Sequence, residues 1–159
     1  MRQPPKERIA IEAKKAWMLS AGLWSIFPVI ITITLFVLAY FLQFSYWYGI
    51  GLLVASLIEI ILTVFLIPTL RWKRWRYELF DQEIYIQHGV LIVTRTLVPM
   101  IRVQHVDTKQ GPILKKYGLS SLTISTAATT HEIPALIEEE ASALRDQISN
   151  LARVDQDDV

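Results

Sequence analysis

The sequence LSAGLWSIFPVIITITLFVLAYFL, from Leu19 to Leu42, contains no charged residue. An apolar helix of about 20 residues is long enough to cross the roughly 30 Å hydrocarbon core of a bilayer. A second apolar segment of similar length, YGIGLLVASLIEIILTVFLIPTL, runs from Tyr48 to Leu70 and carries one charged residue, Glu59. The two segments predict a transmembrane hairpin over residues 19–70, with helices at about 19–42 and 48–70.

The basic residues around this hairpin predict its orientation. They are absent from the connector QFSYWY and lie at the two outer ends: Lys14, Lys15, Arg71, Lys73, Arg74 and Arg76. Cytoplasmic flanks of membrane helices are enriched in Lys and Arg. We therefore expect a two-pass protein whose N-terminal segment, residues 1–18, and C-terminal part are both cytoplasmic.

The overall composition excludes several classes of protein. The chain has 159 residues, 52% of them hydrophobic and 19% charged, with a net charge of +1. A dedicated nucleic-acid-binding domain would carry a strong basic excess, so we expect no nucleic-acid partner. The absence of cysteine excludes disulfides and thiolate metal sites.

The stretch LRWKRWRYELF, from Leu70 to Phe80, interleaves basic and aromatic residues directly after the second span. Trp, Lys and Arg in this position are typical of the membrane interface, where they meet headgroups and anionic lipid. We predict an interfacial collar over residues 71–75, consisting of Arg71, Trp72, Lys73, Arg74 and Trp75. A strand is expected to start at Arg76, so the joint between collar and domain should be stiff.

Residues 76–153 change from continuous apolar sequence to short alternating runs, such as SLTISTA, which are typical of half-buried strands. The segment from Pro134 onward instead predicts an amphipathic helix, with Pro134 in its first turn and Glu138 to Glu140 near its N-terminus. Its apolar stripe consists of Ile137, Ala141, Leu144, Ile148 and Leu151. The predicted fold is α+β, an antiparallel sandwich or barrel capped by a C-terminal helix, followed by an acidic tail at 154–159.

Glu59 is the polar residue of greatest interest within the predicted spans, because a carboxyl group in the bilayer centre is costly. In an antiparallel hairpin, Thr32 and Thr34 are plausible partners for it. A carboxyl group bonded within the hairpin and a contact with another membrane helix are both open alternatives. A proton-linked transport role rests on Glu59 alone. Pro28 is expected to kink the first helix.

The segment KQGPILKKYG is the best candidate for a binding loop in the cytoplasmic half. We call it the lysine loop; its candidate partner- or lipid-binding residues are Lys109, Gln110, Gly111, Lys115 and Lys116. The alternative is a solvated turn with Ile113, Leu114 and Tyr117 packed on the core.

No catalytic or metal-binding motif stands out in the sequence. The three histidines, His88, His105 and His131, are far apart and lack metal-type spacing. Ser120, Ser121 and Ser125 could be combined with His131 and Asp107 only on paper. We expect no enzyme activity, no cofactor and no metal.

The second half of the chain resembles the bacterial pleckstrin-homology-like (PH-like) domain of the YdbS-like group of membrane proteins. The resemblance is carried by Val98-Pro99, Arg102, Gln104 to Val106, Gln110-Gly111, Lys115-Lys116, Gly118 and Thr126-Ala127. Members of this group also carry a two-helix membrane hairpin before the domain. The resemblance implies a seven-stranded PH-like barrel capped by a helix, located at the bacterial inner (plasma) membrane.

The resemblance also implies a function. It implies assembly with a larger membrane protein that carries several PH-like domains, and a contribution to envelope defence against membrane-active antimicrobial peptides.

We expect the hairpin to pack on partner helices through small residues, Gly49, Gly51, Ala55 and Ser56. The alternative class is a membrane-tethered module that senses anionic lipid; a transporter component is a third reading.

Overall fold

A computed structural model describes residues 3–43 and 45–157 of the chain. The chain forms two compact units. One is the apolar hairpin from Trp17 to Thr69, and the other combines the residues up to Ala16 with those from Leu70 onward. We call the second unit the PH-like domain.

Two long apolar helices form the hairpin. Helix α1 spans Glu12–Leu42 and continues through Pro28. The second helix consists of α2 (Trp47–Ile60), a π-helical segment (Ile61–Leu66) and α3 (Ile67–Arg74). Both are long and apolar enough to cross a membrane. They extend beyond the predicted spans, to Glu12 and Arg74, because the polar flanking residues include no helix breaker.

Two antiparallel sheets form the body of the PH-like domain. The first has the order β1-β2-β3-β4, with strands Glu7–Arg8, Arg76–Leu79, Glu83–His88 and Thr94–Pro99. The second has the order β5-β6-β7, with strands Val103–Lys109, Leu119–Thr126 and Thr130–Ile137. The predicted α+β class is confirmed in its sandwich form, since no strand pairing among the described residues closes the two sheets into a barrel.

Strand β1 precedes the hairpin in sequence and was not expected. Glu7 pairs with Tyr77 and Arg8 pairs with Arg76, so the N-terminal segment forms the first edge of the first sheet. Ile9 is only 2% exposed, and the Ala10 amide donates to the Ala135 carbonyl. The hairpin is therefore inserted, along the chain, between the first two strands of the domain.

The C-terminal helix begins later in the sequence than predicted. Pro134 to Ile137 belong to β7, and α5 spans Glu138–Asp157. The correction follows from the long register between β6 and β7, in which Leu119 pairs with Ile137 and holds the segment extended. Of the predicted stripe, Ala141, Leu144 and Ile148 are buried, Leu151 is half-buried, and Ile137 is 42% exposed. The acidic tail is helical as far as Asp157, and its last two residues lie outside the described residues.

Candidate functional site

The two helices of the hairpin meet along a seam of small and hydroxyl side chains spaced seven residues apart. The buried seam residues are Ser25, Thr32 and Ala39 of α1, with Gly49 and Ser56 of α2. The hydroxyl groups of Thr32 and Ser56 are hydrogen-bonded across the seam at 3.0 Å. Small residues at such spacing allow close approach of membrane helices and place their polar groups within bonding reach.

The carboxyl group of Glu59 is bonded on this seam, but to partners other than those predicted. Its Oε1 accepts from the Thr63 hydroxyl at 3.0 Å and, at the longer distance of 3.4 Å, from the Ser25 hydroxyl. Thr32 is bonded to Ser56 instead, and the exposed Thr34 donates to the Ile30 carbonyl of its own helix. Thr34 is on the outer face of α1, which explains why it does not reach Glu59.

One oxygen of Glu59, Oε2, is buried without a hydrogen-bond partner among the described residues. Immediately beyond it, the helix changes to the π form at Ile61. The Thr63 hydroxyl lies within bonding distance of both the backbone carbonyl of Glu59 and its side chain. π-Helical segments are rare, and they frequently occur at functional sites. No local sequence pattern predicts this change.

The small residues predicted to face a partner helix divide between two faces of α2. Gly49 and Ser56 belong to the seam; a Cβ atom at Gly49 would lie 2.9 Å from the Phe36 ring. Gly51 and Ala55 are exposed, and a Cβ atom at Gly51 would meet nothing within 4 Å. Only the second pair is free to face a helix outside the hairpin.

The predicted collar after the second span also divides. Trp75 is 7% exposed and stacks on the His88 ring, with ring centroids 5.4 Å apart, so it packs inside the domain. The Trp72 indole N–H donates to the Ile9 carbonyl at 3.3 Å, and the Arg8 guanidinium lies over its ring. The exposed collar residues are Arg71, Lys73 and Arg74.

Two of these cations line a cleft at the start of the first sheet. The basic cleft has a volume of about 530 Å³ and is lined by Pro4, Lys73, Arg74, Arg76, Gln87, Val93 and Arg95. Its lining includes four cations and no carboxylate. Gln87 is buried and uses both ends of its amide: its Oε1 accepts from Arg95 Nε at 2.9 Å, and its Nε2 donates to the Arg74 carbonyl at 3.3 Å.

The lysine loop folds into a short helix, α4 (Pro112–Lys116), instead of an open turn. Gln110 anchors it by donating to the Leu119 carbonyl at 2.9 Å and to Glu138 Oε2 at 3.0 Å. Gly118 has φ +64, a left-handed conformation that closes the helix and favours glycine. Lys115 and Lys116 are exposed, but the acidic first turn of α5 begins at Glu138, which weakens the positive field of this loop.

A groove separates strand β4 from the turn between β6 and β7. This β4 groove also has a volume of about 530 Å³. Its lining includes two family-motif residues, Arg102 and Gln104, both exposed. Two large apolar side chains, Leu97 and Ile101, are also on its rim and are 44% and 50% exposed. Because β4 is the last strand of its sheet, one of its backbone edges is not paired with another strand of the described residues.

Two of the three histidines and Ser120 have structural partners. His88 stacks on Trp75, and His131 Nε2 is bonded to the Thr129 hydroxyl at 3.0 Å. The Ser120 hydroxyl donates to the Lys109 carbonyl at 3.1 Å. Within the described ranges, no three His, Asp or Glu side chains are close enough together to hold a metal ion.

Comparison with known proteins identifies the family. The model of a family described as the bacterial PH domain matches residues 13–152. The chain belongs to the bacterial PH domain family. The UPF0699 transmembrane protein YdbS of Bacillus subtilis (strain 168) is 52% identical over 159 residues, covering all of both chains. The UPF0699 transmembrane protein YdbT of the same bacterium is 25% identical over 83 residues, which are 50% of this chain and 17% of that protein. No solved structure matches this chain significantly.

This membership confirms the resemblance and a membrane location. The bacterial PH domain match begins at residue 13 and so includes the hairpin as well as strands β2 to β7, but not β1. Two features of this chain were not predicted from its sequence, strand β1 and the basic cleft around Gln87. For the cleft, the available sequence signal was the clustering of Lys73, Arg74 and Arg76. Arg95 and Gln87 are distant in sequence and come close to these residues only through strand pairing.

Proposed function

We propose that this chain is a non-enzymatic subunit of a bacterial membrane complex, in which it binds a larger membrane protein of the same family. The observation that carries the proposal is the open edge of β4 beside the β4 groove. Exposed strand edges pair readily with strands of other chains. Leu97 and Ile101 on the rim would be covered by such a contact.

A sibling PH-like domain is the partner with the best support. About half of this chain recurs in YdbT, a much longer transmembrane protein, since the 83 matching residues are only 17% of it. We propose that the matching part of YdbT contains a related domain and therefore a related strand edge. Docking of one such domain on another would bury the β4 edge of each domain without a change of fold.

The hairpin provides a second contact in this proposal. Gly51 and Ala55 are four residues apart on the exposed side of α2, a small-xxx-small pattern that permits close helix packing. Most of the hairpin surface is available to lipid or partner helices, because only 17% and 6% of the residues in its two apolar windows are buried. We assign Glu59 to the seam, not to transport, because its bonds are made within the hairpin.

The pairing of β1 with β2 supports the proposed orientation. Strand β1 precedes the hairpin in sequence and β2 follows it, so residues on both sides of the hairpin belong to one domain. A hairpin that crosses a membrane twice returns to its starting side, as such a domain requires. Together with the basic flanks, this supports a two-pass protein with cytoplasmic termini.

We extend the proposal to envelope defence. The YdbS-like resemblance implies a contribution to resistance against membrane-active antimicrobial peptides, and a complex of PH-like domains at the membrane is a reasonable platform for it. Deletion of the gene should increase sensitivity to such peptides, as measured by the minimal inhibitory concentration. Unchanged sensitivity would remove defence from the proposal without affecting the assembly.

Assembly is tested by co-purification of the full-length tagged chain with its larger family member from mild detergent. Leu97→Lys should strongly reduce recovery of the partner, because a charge would be placed in the contact. The matched control is Ile137→Lys, since Ile137 is 42% exposed, close to the 44% of Leu97, but is outside the β4 groove.

Gly51→Leu tests the hairpin contact in the same assay, with Leu57→Phe as a control that adds bulk to another exposed position of α2. We expect partner loss with Gly51→Leu and retention with Leu57→Phe. Isolation of the wild-type chain as a lone, stable monomer under these conditions would contradict the assembly proposal.

A further inference from the structure

The two most exposed large apolar side chains of the described residues are adjacent in the turn between β3 and β4. Leu91 is 91% exposed and Ile92 is 81% exposed, more than any residue of the apolar hairpin. Isolated exposed apolar residues are ordinary, but two consecutive ones at the tip of a turn have no packing role in the domain. We call residues 90–92 the apolar tip.

The apolar tip is held in a defined conformation. Gly89, at the start of the turn, has φ +116, and a Cβ atom there would lie 1.8 Å from the Ile92 carbonyl oxygen. Only glycine permits this approach of backbone to backbone. The backbone conformation of the turn therefore holds the Leu91 and Ile92 side chains in solvent-exposed positions.

The basic cleft directly adjoins the apolar tip. Val93 and Arg95, which follow the tip in sequence, line the cleft together with Lys73, Arg74 and Arg76. No ion pair within the described residues neutralises these four cations. The buried amide of Gln87 fixes the Arg95 side chain relative to the Arg74 backbone, so the charges are clustered by the fold.

We propose that the apolar tip and the basic cleft together form a docking site for the surface of an anionic membrane. Leu91 and Ile92 enter the boundary between headgroups and acyl chains, and the cleft cations bind lipid phosphate groups. Apolar side chains flanked by Lys and Arg are the composition that favours this interfacial position. Free phosphate shares the headgroup chemistry, but a soluble anion would leave the apolar tip without a function.

Chain connectivity favours the same occupant. Lys73 and Arg74 are at the end of α3, and they follow the span predicted from the sequence, residues 48–70, by only three and four residues. At about 1.5 Å of rise per helical residue, they are within roughly one turn of the membrane boundary. This site goes beyond the proposed assembly because it requires no protein partner, and it replaces the lysine loop as the candidate lipid contact.

The chain contains no cysteine, so a single introduced cysteine can be labelled cleanly. Full-length Leu91→Cys, carrying a polarity-sensitive fluorophore, is reconstituted into nanodiscs of phosphatidylcholine alone or with phosphatidylglycerol. We expect a blue shift of emission and quenching by doxyl-labelled lipid with the anionic lipid only, and a decrease of both in high salt. Ile137→Cys is the labelling control and should show neither effect.

The charge contribution is tested by adding Arg74→Gln and Arg95→Gln to the labelled protein. Loss of two interfacial cations should shift the equilibrium between inserted and withdrawn tip roughly 30-fold toward withdrawal. Lys115→Gln with Lys116→Gln removes the same charge from the lysine loop and should leave the signal unchanged. Circular dichroism and size-exclusion profiles of each variant establish that it is folded.

Three outcomes would overturn the proposal. The first is a Leu91 label that remains in a water-like environment in anionic nanodiscs. The second is quenching that is equal in neutral and anionic lipid and insensitive to the cleft substitutions. The third is stabilisation by inorganic phosphate at constant ionic strength without insertion of the tip, which would assign the cleft to a soluble anion.

Discussion

At the scale of single residues, Gln87 determines the geometry of the basic cleft. It is 7% exposed, and its amide contacts groups that are 13 and 8 residues away in sequence. Leaving a buried amide without these partners would cost about 1–3 kcal/mol, so the two contacts are retained in the folded state. In the sequence, Gln87 is only a polar residue near the end of a strand, and nothing local indicates either partner.

Tyr77 provides a residue-scale prediction about pH. Burial raises the pKa of its phenol to about 12, with further contributions from the charges of Glu140 and Glu7. The unfolded value is about 10. The folded state thus favours the neutral phenol; this contribution to stability is fully present below pH 10 and is lost as pH rises toward 12.

We expect Tyr77→Phe to reduce the loss of thermal stability between pH 10 and 12, because phenylalanine cannot ionise. Melting temperatures of wild type and variant at pH 10 and pH 12 check the stability, and absorbance at 295 nm during alkaline titration of the full chain in detergent, compared between the two proteins, checks the ionisation of Tyr77. Their difference should titrate near pH 12. A difference curve centred near pH 10 would show that the Tyr77 environment is not as described.

At the scale of elements, the seam between α1 and α2 shows how a hairpin of apolar sequence acquires a specific register. Apolar side chains gain little from helix association in lipid, so packing of small residues and hydrogen bonds between helices select the pairing. The Thr32–Ser56 bond and the Glu59 contacts with Ser25 and Thr63 supply those bonds. Partner helices are left with the face that carries Gly51 and Ala55.

The seam predicts a specific crosslink. Thr32→Cys with Ser56→Cys should form an intramolecular disulfide under mild oxidation, because the two hydroxyl groups are 3.0 Å apart in the wild type. Loss of maleimide-reactive thiols measures the reaction. Thr34→Cys with Ser56→Cys is the matched control and should remain reduced, because Thr34 is exposed on another face. Equal crosslinking of both pairs would contradict the seam.

At the scale of the whole molecule, the PH-like domain is discontinuous in sequence. Residues before the hairpin supply β1, the buried Ile9 and an acceptor for the Trp72 indole. Folding of the domain therefore requires contacts between residues separated by the entire hairpin. Such non-local contacts have an entropic cost of loop closure. The free energy gained by burying the N-terminal segment must exceed that cost.

Neighbouring isoleucines allow this arrangement to be tested. Ile9→Ala should lower the free energy of unfolding of the domain by about 2–5 kcal/mol, because it leaves a cavity in a buried site. Ile11→Ala should change it by less than about 0.5 kcal/mol, since Ile11 is 60% exposed. Hydrogen exchange of the β2 and β3 amides in the full chain provides the measurement, and similar exchange rates in the two variants would exclude a structural role for the N-terminal segment.

Patterns within short windows of the sequence were enough to predict most helices and strands. Continuous apolar residues gave the two long helices, alternation gave most strands, and helical spacing from Ala141 to Ile148 gave the buried face of α5. The boundary at Pro134 was wrong, because its pairing in β7 outweighs the local preference of proline for a first helical turn.

The contacts between side chains that are distant in sequence became visible in the folded chain alone. The fold placed β1 beside β2 across the hairpin, buried Trp75 against His88, paired Glu59 with Ser25 and gathered Lys73, Arg74, Arg76 and Arg95 into one cleft. Helical and strand periodicity arises from backbone geometry between near neighbours, so it is readable in the sequence. Contacts between distant segments depend on the free energy of packing the complete chain, which no local pattern records.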